Sequence, residues 1–203
     1  MKFLLEYDLS MSSQVSSLCK NMYFKLKQIG SVRQFLTTSV TATLVTSLVL
    51  SKLDYCNSVL SGITGDKIKK LQTVQNNAAR LVMKKKKRDH ITPLLKDLHW
   101  LPVPQRIEYK NALMCYKCLN GLAPDYLSNL LEVYSPNRPL RSSTDQTLFK
   151  TKTKKYKSYG ERSFSYVGPQ IWNKLPKNVR HAEKLGIFKR KLKHHLFVSA
   201  FEM

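Results

Sequence analysis

A chain of 203 residues that is 42% apolar, with eight Phe and ten Tyr, is long enough for one ordinary domain or two small ones with real cores, and too apolar for a disordered basic tail. Its 35 Lys and Arg against 13 Asp and Glu give a formal net charge of +22, shared between both halves rather than appended at one end. A field of that sign along a folded body favours polyanions, either nucleic acid or an anionic membrane surface.

The apolar start at FLL is interrupted by Glu6 and Asp8, so no secretory signal is expected. Four cysteines without such a signal point to free thiols in a reducing compartment, nuclear or cytoplasmic. Residues 12–29 read as an amphipathic helix, because Val15, Leu18, Cys19, Met22, Leu26 and Ile29 fall at the three/four spacing of one apolar stripe. Ser12 or Ser13 is placed to cap it and Gly30 to end it. The stretch between Arg33 and Lys52 carries no charge, but it is rich in Ser and Thr and its apolar residues recur at helical spacing. That pattern predicts a half-buried helix over about 38–60, not a membrane span, with Leu44, Val45, Leu48, Leu53, Val59 and Leu60 inward.

GITG at 62–65 is a turn, after which Asp66 can cap a third helix through Ile68, Leu71, Ala78, Ala79 and Val82. Thr92-Pro93 reads as a cap followed by proline at the first helical position, opening a short helix, LLKDL, that stops before Leu101-Pro102. Pro104 then starts a helix to about Asn120, apolar almost all round through Ile107, Tyr109, Leu113, Met114, Tyr116 and Leu119, and so expected at the centre. Ala123-Pro124 begins another, through Leu127, Leu130 and Leu131. Beyond Tyr134, SPNRPLRSSTDQ is turn-forming, and the weak alternation of TLFKTKTKKYK predicts one short extended piece. SYGERSFSYVGPQIWNKLP resumes amphipathic order, with a kink or break expected near Gly168-Pro169. A last helix over about 187–197 places Phe188, Leu192 and Leu196 on one side, with Lys189, Arg190, Lys191, Lys193 and His194 covering most of the rest. There is no internal repeat, and the class is mainly α.

Chemistry-bearing patterns are few. Cys115 and Cys118 form a CxxC, and His90 and His99 lie upstream. A structural zinc site needs two close ligand pairs converging on one tetrahedron. Here the histidines are far apart and the CxxC falls inside a long apolar helix, so all four cysteines are expected to pack as core. There is no GxSxG elbow, no phosphate-loop glycine pattern, and no Cys in a setting that would lower its pKa. The seven aspartates are scattered, whereas two-metal nucleotidyl transfer needs clustered carboxylates. The expectation is a chain with no catalytic residue, metal or cofactor. Trp100 and Trp172 are expected in the core, with His99 beside the first as a capping or packing histidine.

What remains is the basic surface. Arg80 with Lys84, Lys85, Lys86, Lys87 and Arg88 forms one cluster. Arg138, Arg141, Lys150, Lys152, Lys154, Lys155 and Lys157 form a second, interleaved with Tyr156, Tyr159 and Phe149. Lys189, Arg190 and Lys193 on the last helix form a third. Lys and Arg contacts to phosphate give salt-sensitive affinity, and interspersed aromatics can stack on unpaired bases. Taken singly, each cluster reads equally well as a solvated face over an aromatic core; three of them in so basic a chain favour nucleic acid. KKKKR also suits a nuclear-import signal, a pattern short enough to be common.

Seven blocks in order extend this reading. They are LDYCNSVL (53–60), KLQTVQNNAARLV (70–82), RDHITPLLKDLHWLPVPQRIEYK (88–110), YKCLNGLAPDYLSNLL (116–131), RPLRSS (138–143), YGERSFSYVGPQIWNKLPKNVR (159–180) and FKRKLKHHLF (188–197). Together they resemble the region C-terminal to the palm in LINE-type, jockey-like non-LTR retrotransposon reverse transcriptases. The resemblance covers nearly the whole chain from about Leu9. It implies a helical thumb-like segment over 1–62, a helical C-terminal core over 63–133, and a basic loop, extended piece and terminal helices over 134–203. In that family polymerisation depends on palm aspartates, including an F/Y-x-D-D strand, and an endonuclease lies further upstream; neither pattern occurs in this sequence. The resemblance therefore implies a non-catalytic fragment that keeps a basic surface for template RNA or target DNA. Since nothing in the sequence resembles a groove-reading motif, little sequence preference is expected. The uncharged stretch read above as a half-buried helix gives no reason to expect a membrane partner. The rival expectations are an interaction module, with the palm in trans as partner, and a relic reading frame with no selected function.

Overall fold

A computed structural model describes residues 10–135, 146–150 and 160–202 of the chain. The described residues are mainly helical: α1 (Ser12–Val32), α2 (Thr38–Val45), α3 (Ser51–Asp54), α4 (Gly65–Met83), α5 (Ile91–Asp97), α6 (Val103–Leu119), α7 (Asp125–Ser128), α8 (Phe164–Lys174), α9 (Lys177–Arg180) and α10 (Leu185–Phe201). They fall into two compact units, one of residues 1–107 with 197–203, the other of residues 108–196. The expected boundaries at 62 and 133 do not coincide with this division. The physical reason at the first is plain: the apolar stripe of α1 shares one core with α4, so residues on either side of 62 bury each other.

In the first unit, Val15, Leu18, Met22, Leu26 and Ile29 form the buried stripe of α1 as their spacing predicts, with Cys19 half-buried. The ends of α1 differ from expectation. The chain enters the helix at Met11, in the left-handed region at φ 59°, so Ser12 is already helical and neither it nor Ser13 is the cap. The Ser10 hydroxyl instead accepts from the Ser12 N–H at 3.3 Å. Gly30 does not end the helix, which runs on to Val32; a Cβ there would lie 3.8 Å from the Leu81 side chain, an ordinary van der Waals contact, so packing against α4 leaves room for a larger residue.

The predicted helix over 38–60 is broken up. Thr37 caps α2 by accepting from the Val40 N–H. Residues 46–50 then form a π-helical turn before α3, and Tyr55 turns extended with Cys56 left-handed at φ 54°. A π turn takes more residues than an α turn and so rotates the side chains beyond it about the helix axis. Burial therefore lands on Val45, Val49, Leu50 and Leu53, while Leu48 is exposed. Val59, also expected inward, is exposed on the 3₁₀ turn after the break, while Leu60 is buried as expected.

Helix α4 buries Leu71, Val74, Gln75, Ala78, Ala79 and Val82. Thr64, not Asp66, is its cap residue, and Asp66 sits in the first turn, where a carboxylate still complements the helix dipole. At its other end Arg33, only 7% exposed, reaches across from the end of α1. Its guanidinium donates to Leu81 O at 3.0 Å, to Val82 O at 2.7 Å and to Leu36 O at 2.6 Å. The last carbonyls of a helix have no intrahelical partner, and a cation there also meets the negative dipole end.

The corner around Leu101-Pro102 is fastened by polar side chains. Gln75, buried in α4, donates to Leu101 O at 2.8 Å, and Gln72 accepts from the Val103 N–H at 2.8 Å. Arg106 donates to Leu101 O and, from Nη1, to both Asp54 carboxylate oxygens at 2.9 and 2.7 Å. Trp100 fills the angle and is buried. Helix α5 begins two residues before the expected start, so Pro93 lies at its third position, still within the turn whose N–H groups lack partners. His99 adopts φ 50°, letting Trp100 N–H reach Leu95 O at 2.9 Å, and its ring lies 5.6 Å from that of Phe197.

The second unit is built around the later part of α6, α8 and α10. Tyr116 stacks on Phe188 at 4.2 Å, and Trp172 sits 5.9 Å from Phe188. Phe188, Leu192 and Leu196 are buried, as their spacing requires. Helix α7 is a single turn with Pro124 at its cap position, shorter than the run to Leu131 suggested. Of the stretch 147–157 expected to hold an extended piece, 151–157 lie outside the described residues, and 147–150 carry one isolated antiparallel bridge, Leu148 with Val133. Asn173 holds it from α8, donating to Leu148 O and accepting from Leu148 N–H. Helix α8 runs unbroken through Pro169. Gly168 lets the helix pack closely there, since a Cβ would lie 3.0 Å from Cys115 Sγ and 3.3 Å from the Phe164 ring, so those side chains would have to shift to admit it.

Candidate nucleic-acid interface

The segment from Arg80 to His90 belongs wholly to the first unit. Helix α4 ends with Lys84 at φ 52°, and the Lys85 N–H closes on Arg80 O at 2.9 Å. This is the six-to-one bond of a left-handed helix end, a place that glycine usually takes. The chain then folds into a turn, with Asp89 N–H donating to Lys86 O at 3.1 Å. The Asp89 carboxylate reaches back and accepts the Lys86 N–H at 2.7 Å. Arg80 completes the arrangement by donating from Nη2 to Asp89 O at 3.1 Å. Lys84, Lys85, Lys86, Lys87 and Arg88 are all exposed on this turn. A shallow depression beside it is lined by Lys85, Arg88, Asp89, His90, Pro93 and Leu94.

The expected contact residues thus separate by what they touch. Lys84–Arg88 stand together on one hydrogen-bonded loop with their charges in solvent. Arg80 is half-buried, its Nε is enclosed, and its guanidinium holds the loop's own backbone. In the second unit, Lys189, Arg190 and Lys193 are exposed on α10, away from the buried Phe188, Leu192 and Leu196. Lys150 is exposed at the end of the bridged segment. Arg138, Arg141, Lys152, Lys154, Lys155, Lys157, Tyr156 and Tyr159 lie outside the described residues.

Residue type alone does not separate grip from scaffold. Arg33, Arg106 and Arg180 carry the same charge as the loop cations, yet each donates to backbone carbonyls of its own unit. The planar fork suits arginine to such fixed, partly buried bonding, whereas lysine keeps its head in water. Asp89 was not among the residues that the sequence singled out. The available signal was a short carboxylate directly after a basic run, where Asp commonly folds the neighbouring backbone into a turn.

Cys115 and Cys118 are buried in the second unit's core, and all four cysteines are free thiols. Burial pushes the Cys115 thiol far above its ordinary value, and Cys118 in the same direction, the opposite of what a nucleophile needs. Among the described residues no helix is long and apolar enough to cross a membrane. Comparison with protein-family models, with curated proteins and with solved structures found no match to this chain.

Proposed function

We propose that this chain is a non-catalytic nucleic-acid-holding module of the LINE-type reverse transcriptase kind, gripping template RNA or target DNA by its phosphates. The observation that carries this reading is the run of five exposed cations, Lys84–Arg88, held on a hydrogen-bonded turn in a chain of net charge +22. Phosphate contacts position a strand without reading bases, so the grip has little sequence preference. If all five cations meet phosphates of a duplex, log K falls against log salt with a slope of about −4.5, or roughly 500-fold in affinity between 50 and 200 mM salt. A fluorescence-anisotropy titration over that range tests it. Replacing Lys84–Arg88 by Gln should flatten the slope by about 4.5; a wild-type plot with no slope refutes phosphate-led binding.

A second reading has its own observation. Phe24, Val32, Phe35, Val40 and Leu48 of the first unit are exposed, Phe35 by 78%. Exposed apolar side chains in such number suit a protein partner, which the resemblance would make a polymerase palm. Size-exclusion chromatography with and without a palm-containing protein separates the two readings. Co-elution that survives high salt supports the partner, and loss of nucleic acid at the same salt supports the grip.

A further inference from the structure

We infer that Asp89, the acidic residue that ends the basic run, is a positioning residue for the grip: it strengthens polyanion binding even though its own charge opposes it. The inference rests on the nucleic-acid reading above and adds which residue shapes the site. By charge alone, a carboxylate next to Lys84–Arg88 should weaken attraction to phosphate, and its removal should help. The bonding says otherwise. The Asp89 carboxylate accepts the Lys86 N–H at 2.7 Å, its own N–H donates to Lys86 O at 3.1 Å, and its carbonyl is held by Arg80 at 3.1 Å. Three bonds thus converge on one residue and close the loop that carries the five cations. Lysine and arginine side chains lose much freedom when they meet phosphates, so a backbone already fixed leaves less to order on binding. Arg80 acts in the same way, through Asp89 O, and not as a phosphate contact.

The sign of one substitution separates the two accounts. Asp89→Asn removes the negative charge but keeps an oxygen that can accept from Lys86 N–H. Asp89→Ala removes both. Anisotropy titrations of the full chain with a fixed duplex at a fixed salt concentration should show Asp89→Asn equal to wild type or about twofold tighter. Asp89→Ala should bind about three- to tenfold weaker than Asp89→Asn at equal net charge, the worth of a lost hydrogen bond. Amide exchange at Lys85, Lys86 and Asp89 should quicken in Asp89→Ala, with the rest of α4 unchanged. Arg80→Lys keeps the charge and loses the fork, and it should likewise speed exchange at Asp89 and weaken binding. If Asp89→Ala binds as tightly as Asp89→Asn, or Arg80→Lys leaves both readouts unchanged, the inference fails while the grip stands. If wild type shows no salt-dependent binding, the grip fails and the inference with it.

Discussion

Replacing Arg33 by Met should cost the fold more than any surface cation can. The guanidinium is 7% exposed and serves three carbonyls, Leu81 O, Val82 O and Leu36 O. Leu81 O keeps a long contact from the Lys84 N–H at 3.5 Å, so its loss is partial. Val82 O and Leu36 O lose a charge-assisted donor, at about 1–2 kcal/mol each, and the C-terminal dipole of α4 loses its cation, at roughly 0.5–1 kcal/mol. The methionine stem keeps most of the apolar packing, so little is added for a cavity. The total is about 3–4 kcal/mol, or roughly 10 °C in a chain of this size. Arg33→Lys should lose about half as much, because one ammonium cannot serve three divergent oxygens. Heat unfolding followed by circular dichroism at 222 nm reads both. A loss below about 1 kcal/mol for Met, or no difference between Lys and Arg, would show that the carbonyls find other donors and that this cap does not hold α1 to α4.

The other predictions concern single groups. Lys84→Gly should stabilise the chain by up to about 1 kcal/mol, since the residue sits at φ 52° with an exposed side chain, while binding loses one cation; thermal unfolding checks the first and the salt slope the second. Burial raises the Glu108 carboxyl above its ordinary value, against the pull of Lys174 and His195. A raised carboxyl favours the protonated native state, so its contribution is fully present below the unfolded pKa and is lost as pH rises through the folded one. Glu108→Gln should therefore be more stable than wild type at neutral pH, and the advantage should disappear as pH falls below the ordinary glutamate range, measured by urea unfolding at several pH values. A thiol reagent at neutral pH should modify half-buried Cys56 first and Cys115 only on unfolding, because Cys115 is buried and its thiolate is strongly disfavoured; mass spectrometry of partly labelled protein identifies the order.

Much of the fold was legible where one physical rule acted alone. The α1 stripe, the α10 stripe and both tryptophans came from apolar periodicity or bulk, because burial of such groups dominates whatever their neighbours do. Legibility failed where a neighbour decided. The π turn over 46–50 moves burial from Leu48 to Val49 and Leu50, and no local pattern announces it. Gly30 reads as a stop signal, yet the helix passes through it to Val32. Within the candidate interface, the run KKKKR was visible at once. The turn beneath it was not, since it depends on Arg80 and Asp89 meeting across nine residues.

By itself, then, the sequence determined a mainly helical chain, its apolar stripes, its excess of cations and the continuous run among them. These are properties of residue type and spacing, which every conformation of the chain shares. Only the tertiary structure decided which cations face water and which are spent on the chain's own carbonyls. Arg33 and Lys85 carry the same unit charge, but Arg33 is enclosed between helix ends while Lys85 stands on an open turn. A charge becomes scaffold or contact according to the acceptors that folding brings to it, and those acceptors are backbone groups that look alike at every position of the sequence.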